Sequence, residues 1–320
     1  MKFKPVEVLF SPTADCNLNC RHCEQEKSKI NLPVELAENF LYGCKKAGVE
    51  RIGFTGGEPF LNPEFIYKIA GLGVELDMYF GRLMTNGVWF RDKAHLESVL
   101  YKLYDYGYDG TICVSADAFH GKNPGKIVTF IETALKIWGR GDLISIASVR
   151  GARVRETMNI LKAIASGLGA KLELFPGGAA AIKSSRLFIP VNFIELSPVG
   201  KASRIKNPWD GKWFKEDYCA GPGNVFMVEA DGSVKPCCGY ASHKGLLAVG
   251  NIARDGAAGI LGNIESNFFA RAVFTLGLSG IRKKMEKNGV KFPSKTSNHC
   301  FFCNYIIEKF PAFELMQLLA

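Results

Sequence analysis

The sequence predicts an α/β fold, with strand and helix alternating over residues 1–205 and a small cysteine-bearing domain over residues 206–320. Three observations predict it. Short apolar runs bounded by turn residues alternate with longer segments of helical period. Polar and glycine-rich stretches follow the end of each run, and after about Lys206 the pattern changes to short segments rich in Gly and Cys. Strands separated by helical segments imply a parallel sheet with helices outside it.

Taken in order, residues 6–11 read as a short buried strand running into a loop with three cysteines. A helix is expected near residues 33–46, where Leu36, Phe40 and Leu41 supply an apolar face. Residues 51–55 read as a second strand that stops at Gly56-Gly57, where turn chemistry takes over. The alternation continues with a strand near Leu83, a helix near 95–104, a strand at 111–115, a helix near 127–138, a strand at 143–149 and a helix near 157–164. A sixth strand falls within 171–198, where 172–175 and 193–196 compete and 176–188 reads as extra sequence. The expected architecture is a partial (β/α)6 TIM-like barrel, whose chemistry gathers at the carboxyl ends of its strands. Residues 11–23, 56–59, 85–87, 115–120 and 148–150 each follow a strand end, so they converge on one mouth. Further on, 225–228 and 233–235 flank the turn Asp231-Gly232, a hairpin placed to carry ligands.

With 320 residues, 47% hydrophobic and 22% charged, the chain can bury the core of one large domain and a smaller one. No long apolar stretch resembles a secretory signal or a membrane span, so a cytoplasmic protein with no membrane partner is expected. Ten cysteines gathered mostly in tight clusters, in a chain of this size, point to metal or cluster ligation rather than disulfides. The formal charge of +9 is scattered, without the basic stripe interleaved with aromatics that a nucleic-acid groove requires. No nucleic-acid partner is expected.

Cys16, Cys20 and Cys23 stand in a polar loop with three and two residues between them. Three thiolates can hold three irons of a 4Fe–4S cubane and leave the fourth iron open to another ligand. A zinc knuckle completed by His22 is the alternative that these residue types permit.

This CxxxCxxC loop after the first strand, followed by Gly56-Gly57-Glu58-Pro59 after the second, resembles the signature pair of the radical S-adenosylmethionine (SAM) superfamily. The resemblance implies that the open iron binds the amino and carboxylate groups of SAM and that SAM is cleaved to a 5′-deoxyadenosyl radical. It further implies that Gly56, Gly57, Glu58 and Pro59 lie along the methionyl ammonium. Glycines let backbone approach closely, and Glu58 offers an acceptor to a cation. Thr85 and Asn86, Ser115 and Asp117, and Ser148 and Arg150 occupy strand ends where similar enzymes contact methionyl carboxylate and ribose. Val199 falls in a stretch similar to one that packs on adenine. Each of these is also an ordinary turn or cap residue type.

Cys219, the pair Cys237-Cys238, and Cys300-Phe-Phe-Cys303, set around Asp231-Gly232 and Gly250-Asn251, are similar to the auxiliary-cluster domains named SPASM and Twitch. The resemblance implies a shortened iron-sulfur domain, with Cys219, Cys237, Cys300 and Cys303 on a second 4Fe–4S cluster. A zinc ribbon is the alternative. Cys44 and Cys113 read as core residues. Cys238 is either an alternative ligand to Cys237 or a spare thiol that returns a hydrogen atom to a substrate radical.

Together with the stretch Ser115 to His120, these features look like the radical SAM epimerases that convert L- to D-residues in ribosomally made peptides. That reading implies a peptide substrate and an external one-electron reductant of flavodoxin or ferredoxin type. Formation of a cross-link or dehydrogenation through the second cluster is one alternative, and radical epimerisation of a carbohydrate-type small molecule is another. With 15 residues before Cys16 in this sequence, a peptide is expected to be gripped by the barrel mouth and the C-terminal domain.

Overall fold

The computed structural model describes residues 3–23, 25–121, 123–151, 153–198, 200–215, 222–239 and 245–319. Val199 and Cys219 lie outside the described residues. The chain divides into two compact units, one of Met1–Leu9, Glu35–Glu50 and Ser197–Ala320, the other of Phe10–Val34 and Arg51–Leu196.

The expected alternation is present. β1 (Glu7–Phe10), α1 (Val34–Lys46), β2 (Arg51–Phe54), α2 (Pro63–Glu75), β3 (Tyr79–Thr85), α3 (Lys93–Asp105), β4 (Thr111–Ser115), α4 (Pro124–Trp138), β5 (Ile144–Arg150) and α5 (Val154–Gly167) follow one another. α2 is not among the expected helices. Pro63 opens it at a position that needs no backbone donor, and Phe65, Ile66, Ile69 and Ala70 are buried. Asp92 caps α3 by accepting from His95 N at 2.8 Å, and Asn123 caps α4 through Lys126 N at 3.3 Å.

In the unit of residues 10–34 and 51–196, β2, β3, β4 and β5 run parallel as neighbours. Their apolar residues face helices and sheet together: Phe54, Leu83, Ile112, Val114, Ile144 and Ile146 are fully buried. Such continuous burial is what a parallel sheet demands of its strands. The register aligns Thr85, Val114 and Ile146, so the segments that follow them emerge at one sheet edge.

The sixth parallel strand is β8 (Phe188–Glu195), which pairs with β5. The competing segment becomes β6 (Lys171–Leu174), antiparallel to β7 (Ala180–Lys183), which is in turn antiparallel to β8. The reason is the tight turn at Pro176–Gly178, where Gly177 and Gly178 have φ of 78° and 85° and Phe175 N donates to Ala179 O. That reversal sends the chain back twice before it can run parallel to β5. The stretch read as extra sequence is this turn, β7 and the entry to β8.

The other unit holds β9 (Val225–Val228), β10 (Ser233–Lys235) and β11 (Gly250–Asn251), in the order β11-β10-β9-β1. The hairpin around Asp231-Gly232 is as expected, closed by Glu229 N on Ser233 O at 2.9 Å with Gly232 at φ 80°. Four helices follow: α6 (Ala257–Ser266), α7 (Phe268–Lys287), α8 (His299–Lys309) and α9 (Ala312–Leu319). Among the described residues, no helix is long and apolar enough to cross a membrane.

Candidate functional site

The three-cysteine loop leaves β1 at Phe10, whose carbonyl accepts Thr55 N at 2.8 Å. Residues 13 and 31 form an isolated antiparallel bridge, with Ala14 N on Ile30 O and Leu32 N on Pro12 O, so the loop is closed at its base. Within it, Asp15 caps Cys16 N, Leu18 N points at Cys16 Sγ at 3.4 Å, and Lys27 donates to the Cys16 carbonyl.

The glycine pair is needed for a different approach from the one expected. A Cβ on Gly57 would stand 2.0 Å from the Asp15 carbonyl oxygen, and one on Gly56, at φ 122°, would stand 2.4 Å from Ser11 Oγ. Gly57 N donates to Thr13 O at 3.0 Å and Glu58 N to Asp15 O at 2.8 Å. The close approach is therefore to the chain's own cysteine loop.

Glu58 likewise turns inward. Its carboxylate is fully buried and accepts from Thr85 Oγ1 at 2.8 Å, Asn86 N at 2.8 Å and Phe60 N at 3.3 Å. Burial pushes its pKa up to about 7 in spite of these donors. It ties the end of β2 to the end of β3, and Pro59 opens the short turn Pro59–Leu61 that Glu58 caps. Asn86 then reaches the cysteine loop: Nδ2 donates to Asn17 Oδ1 at 2.8 Å and lies 4.0 Å from Cys16 Sγ, while Oδ1 accepts Val88 N.

At the ends of β4 and β5, Ser115 is partly exposed. Asp117 and Ser148, expected beside a ligand, are fully buried and engaged within the chain. Ser148 Oγ donates to Ala116 O at 2.8 Å. Asp117 accepts from Phe119 N, His120 N and Val149 N and pairs with His120 Nδ1 at 2.9 Å. Burial alone would raise Asp117, but the His120 contact and the N–H groups of Val149 in β5 and Phe119 in the turn after β4 hold it below the ordinary carboxylate value. Arg150 donates to Gly178 O at 2.9 Å and stacks over Phe193 at 3.9 Å.

His22, expected only as the fourth ligand of an alternative zinc knuckle, and His120, which motif spacing left without a role, come together here. Their rings are 4.8 Å apart, and the His22 ring also packs on Phe119 at 5.1 Å. His22 Nδ1 is buried without a hydrogen-bond partner, and burial, with His120 nearby, lowers the His22 pKa to about 4. The available signals were an Asp three residues before a His and a His between two cysteines.

Burial pushes the Cys20 thiol up to about 12, with Cys23, Cys16 and Asp117 adding to it. Cys16 is also raised by burial. Thiols raised by burial become thiolates when a cation neutralises them. Among the described residues, no three His, Cys, Asp or Glu side chains gather around a point where one metal ion could sit. The three cysteines, the unmet His22 nitrogen and the loop fastened at its base fit a 4Fe–4S cluster.

In the other unit, Asn298 caps α8 through Phe301 N at 2.7 Å, which sets Cys300 and Cys303 one turn apart. A point above the Gly239 backbone lies 3.6 Å from Cys237 Sγ and 3.7 Å from Cys300 Sγ. Cys237 is buried and Cys238 exposed. Cys44 and Cys113 are buried core residues, as expected.

The Radical SAM superfamily matches residues 10–162. The S-adenosylmethionine-dependent nucleotide dehydratase RSAD2 of Siniperca chuatsi is 33% identical over 120 residues, 36% of this chain and 32% of that protein. The chain spans about a third of the length of the curated relatives it matches first. The Bacillus subtilis (strain 168) protein YydG, provisionally named a peptide biosynthesis protein, is 23% identical over 251 residues, 73% of this chain and 69% of that one. In fold, the chain is similar to anSMEcpe with bound AdoMet, with a TM-score of 0.56 at 15% identity over 98% of this chain and 99% of that one. BtrN in complex with AdoMet and 2-DOIA gives 0.50 at 17% identity, over 93% and 98%. With the strand-end loop of Cys16, Cys20 and Cys23 closed against Gly56 to Glu58, residues 10–162 of this chain are a radical SAM superfamily domain.

Proposed function

We infer that this protein is a radical SAM epimerase that converts L- to D-residues in a peptide, with Cys238 as hydrogen-atom donor. The observation that carries this reading is the different placement of two adjacent thiols: Cys237 is buried on the same side of Gly239 as Cys300, whereas Cys238 is exposed. That placement favours Cys237 as the cluster ligand and leaves Cys238 as the spare. Although the residue is exposed, the atoms packed around its sulfur withdraw it from part of its water, and with the charge of Glu7 this raises the Cys238 pKa above the ordinary thiol value. The group therefore stays S–H, the form that can give up a hydrogen atom. The peptide as substrate class rests on the likeness to YydG along 73% of this chain.

Cys16, Cys20 and Cys23 are the residues that would hold the first cluster, with SAM on its open iron; Cys219, Cys237, Cys300 and Cys303 would hold the second. When bound, the first cluster and SAM supply a 5′-deoxyadenosyl radical that removes one hydrogen atom from a substrate carbon. The chain's part is to fix the loop: Gly57 and Glu58 hold its residues 13–15, and Asn86 holds Asn17. Glu58 N–H and Gly57 N–H point at the loop, where the carbonyls of Asp15 and Thr13 accept them. Cys238 then returns a hydrogen atom from the other face, its S–H bond breaking as the new C–H bond forms. A flavodoxin- or ferredoxin-type donor would supply two electrons per turnover, one for cleavage of SAM by way of the first cluster and one, with a proton from solvent, to restore the Cys238 thiol.

The test is Cys238→Ala with a candidate peptide, in D2O under anaerobic reducing conditions. Wild type is expected to place one deuteron at the inverted carbon, and the variant to cleave SAM without inversion. Inversion unchanged in the variant overturns the donor role, and loss of substrate hydrogen without deuteron uptake points to dehydrogenation or cross-linking instead.

A further inference from the structure

The cysteine loop is fastened to the sheet in two ways. Its first half is held by backbone hydrogen bonds to Gly57 and Glu58 and by the Asn86–Asn17 pair. Its second half, from Cys20 to Cys23, closes on itself through Cys23 N on Cys20 O at 3.2 Å and reaches the sheet through the His22 ring. That ring packs on Phe119 and His120, which follow β4.

His120 is held in a fixed pose. Its Nδ1 lies 2.9 Å from Asp117 Oδ2, and Asp117 Oδ1 closes the turn by accepting Phe119 N at 2.8 Å and His120 N at 3.1 Å. Asp117 Oδ2 also accepts Val149 N at 3.0 Å, which anchors the carboxylate to β5. With the Asp117 side chain fully buried and His120 one-fifth exposed, the pair is a rigid support rather than a surface ion pair. An ionised Asp117 fixes which His120 nitrogen carries the proton and therefore how the ring stands. Beyond it, the T-shaped contact to His22 passes on orientation. His22 Nδ1 has no hydrogen-bond partner, so the ring is held with one polar atom left for a ligand or water at the loop.

We propose that Asp117 and His120 are positioning residues for the cluster loop: Asp117 fixes the His120 ring, His120 fixes His22, and SAM therefore meets a preset loop. Supports one layer out from a metal site commonly govern its affinity in this way. The inference rests on reading Cys16, Cys20 and Cys23 as cluster ligands and is independent of the role of Cys238.

The experiment is a double-mutant cycle on the anaerobically reconstituted full chain, with the SAM dissociation constant read by equilibrium dialysis. Electron paramagnetic resonance of the reduced cluster, with and without SAM, is recorded alongside. His22→Ala and His120→Ala are each expected to weaken SAM binding about tenfold or more. The double variant is expected to bind no more weakly than His22→Ala alone, because His120 acts through the ring that is gone. Asp117→Asn should show a smaller loss in the same direction, and the SAM-induced change in the resonance should become heterogeneous in His120→Ala. Wild-type affinity in His120→Ala, or losses that multiply in the double variant, overturns the proposal. Should His120→Ala not fold, His120→Phe carries the test: it fills the space without the tie to Asp117, and wild-type affinity there also overturns the proposal. A wild-type chain that takes up iron nowhere in this loop would instead sink the ligand reading on which the inference stands.

Discussion

The Gly57 backbone lies so close to the Asp15 carbonyl that a Cβ at position 57 would stand 2.0 Å from the oxygen, and the next N–H, that of Glu58, donates to the same oxygen at 2.8 Å. Backbone meets backbone here, so no flexible side chain can give way. Gly57→Ala is expected to cost at least about 1–3 kcal/mol, the usual range for overfilling a packed contact. Iron uptake should fall with it, because relief of the clash moves the loop away from the end of β2. Thermal unfolding and iron per chain check this together; an unchanged melting point with full iron uptake would show that the loop is not fastened there.

Glu58 gives stability a pH dependence of predictable sign. Its carboxyl ionises at about 7 in the folded chain against 4.5 for an ordinary one. Between those values the folded chain keeps a proton that the unfolded chain has released. Its contribution is complete below pH 4.5 and is lost as pH rises toward 7, a change on the order of 3 kcal/mol. Glu58→Gln cannot ionise. Denaturant unfolding should therefore show wild type losing ground to the variant across this window, with no further change above it. A constant difference between the two proteins would mean that Glu58 ionises as an exposed carboxylate does.

Asn86 links the end of β3 to the cysteine loop through Asn17 and to its own turn through Val88 N. Asn86→Ala leaves both partners unmet, at about 1–3 kcal/mol of stability. Asn86→Asp keeps the cap on Val88 but places a negative charge where an amide now lies 4.0 Å from Cys16 Sγ. It should depress iron uptake more than Asn86→Ala does, since a nearby anion opposes thiolate formation. Equal uptake in the two variants would contradict this.

The thiols of Cys237 and Cys238 should separate in an iron assay. On the proposed two-cluster reading, Cys237→Ser is expected to lower iron per chain and Cys238→Ser to leave it near the wild-type value, because Cys237 shares the space over Gly239 with Cys300. The reverse result would exchange their roles.

The loop and the fold around it are largely legible in the sequence. The CxxxCxxC spacing, the Gly-Gly-Glu-Pro run and the strand–helix alternation are local patterns, and local backbone chemistry writes them directly into the chain. α2 is legible as well, since Pro63 stands at its first position and Phe65, Ile66, Ile69 and Ala70 recur at helical spacing, yet the expected elements omit it. The sixth strand could not be placed because 171–174 and 188–195 both carry strand character, and only the reversal at Gly177-Gly178 decides which runs parallel to β5.

By itself, then, the sequence determined the class of fold, the three-cysteine loop and its glycine partner, since these need only neighbouring residues. Tertiary structure alone decided which way the polar side chains face. Glu58, Asp117 and Ser148 are acceptors and donors that a ligand could use, yet burial compels each to satisfy the chain's own N–H, O–H and carbonyl groups. It also brought His120 onto His22 across 98 positions of sequence, a contact set by the packing of separate strand ends that no local pattern records.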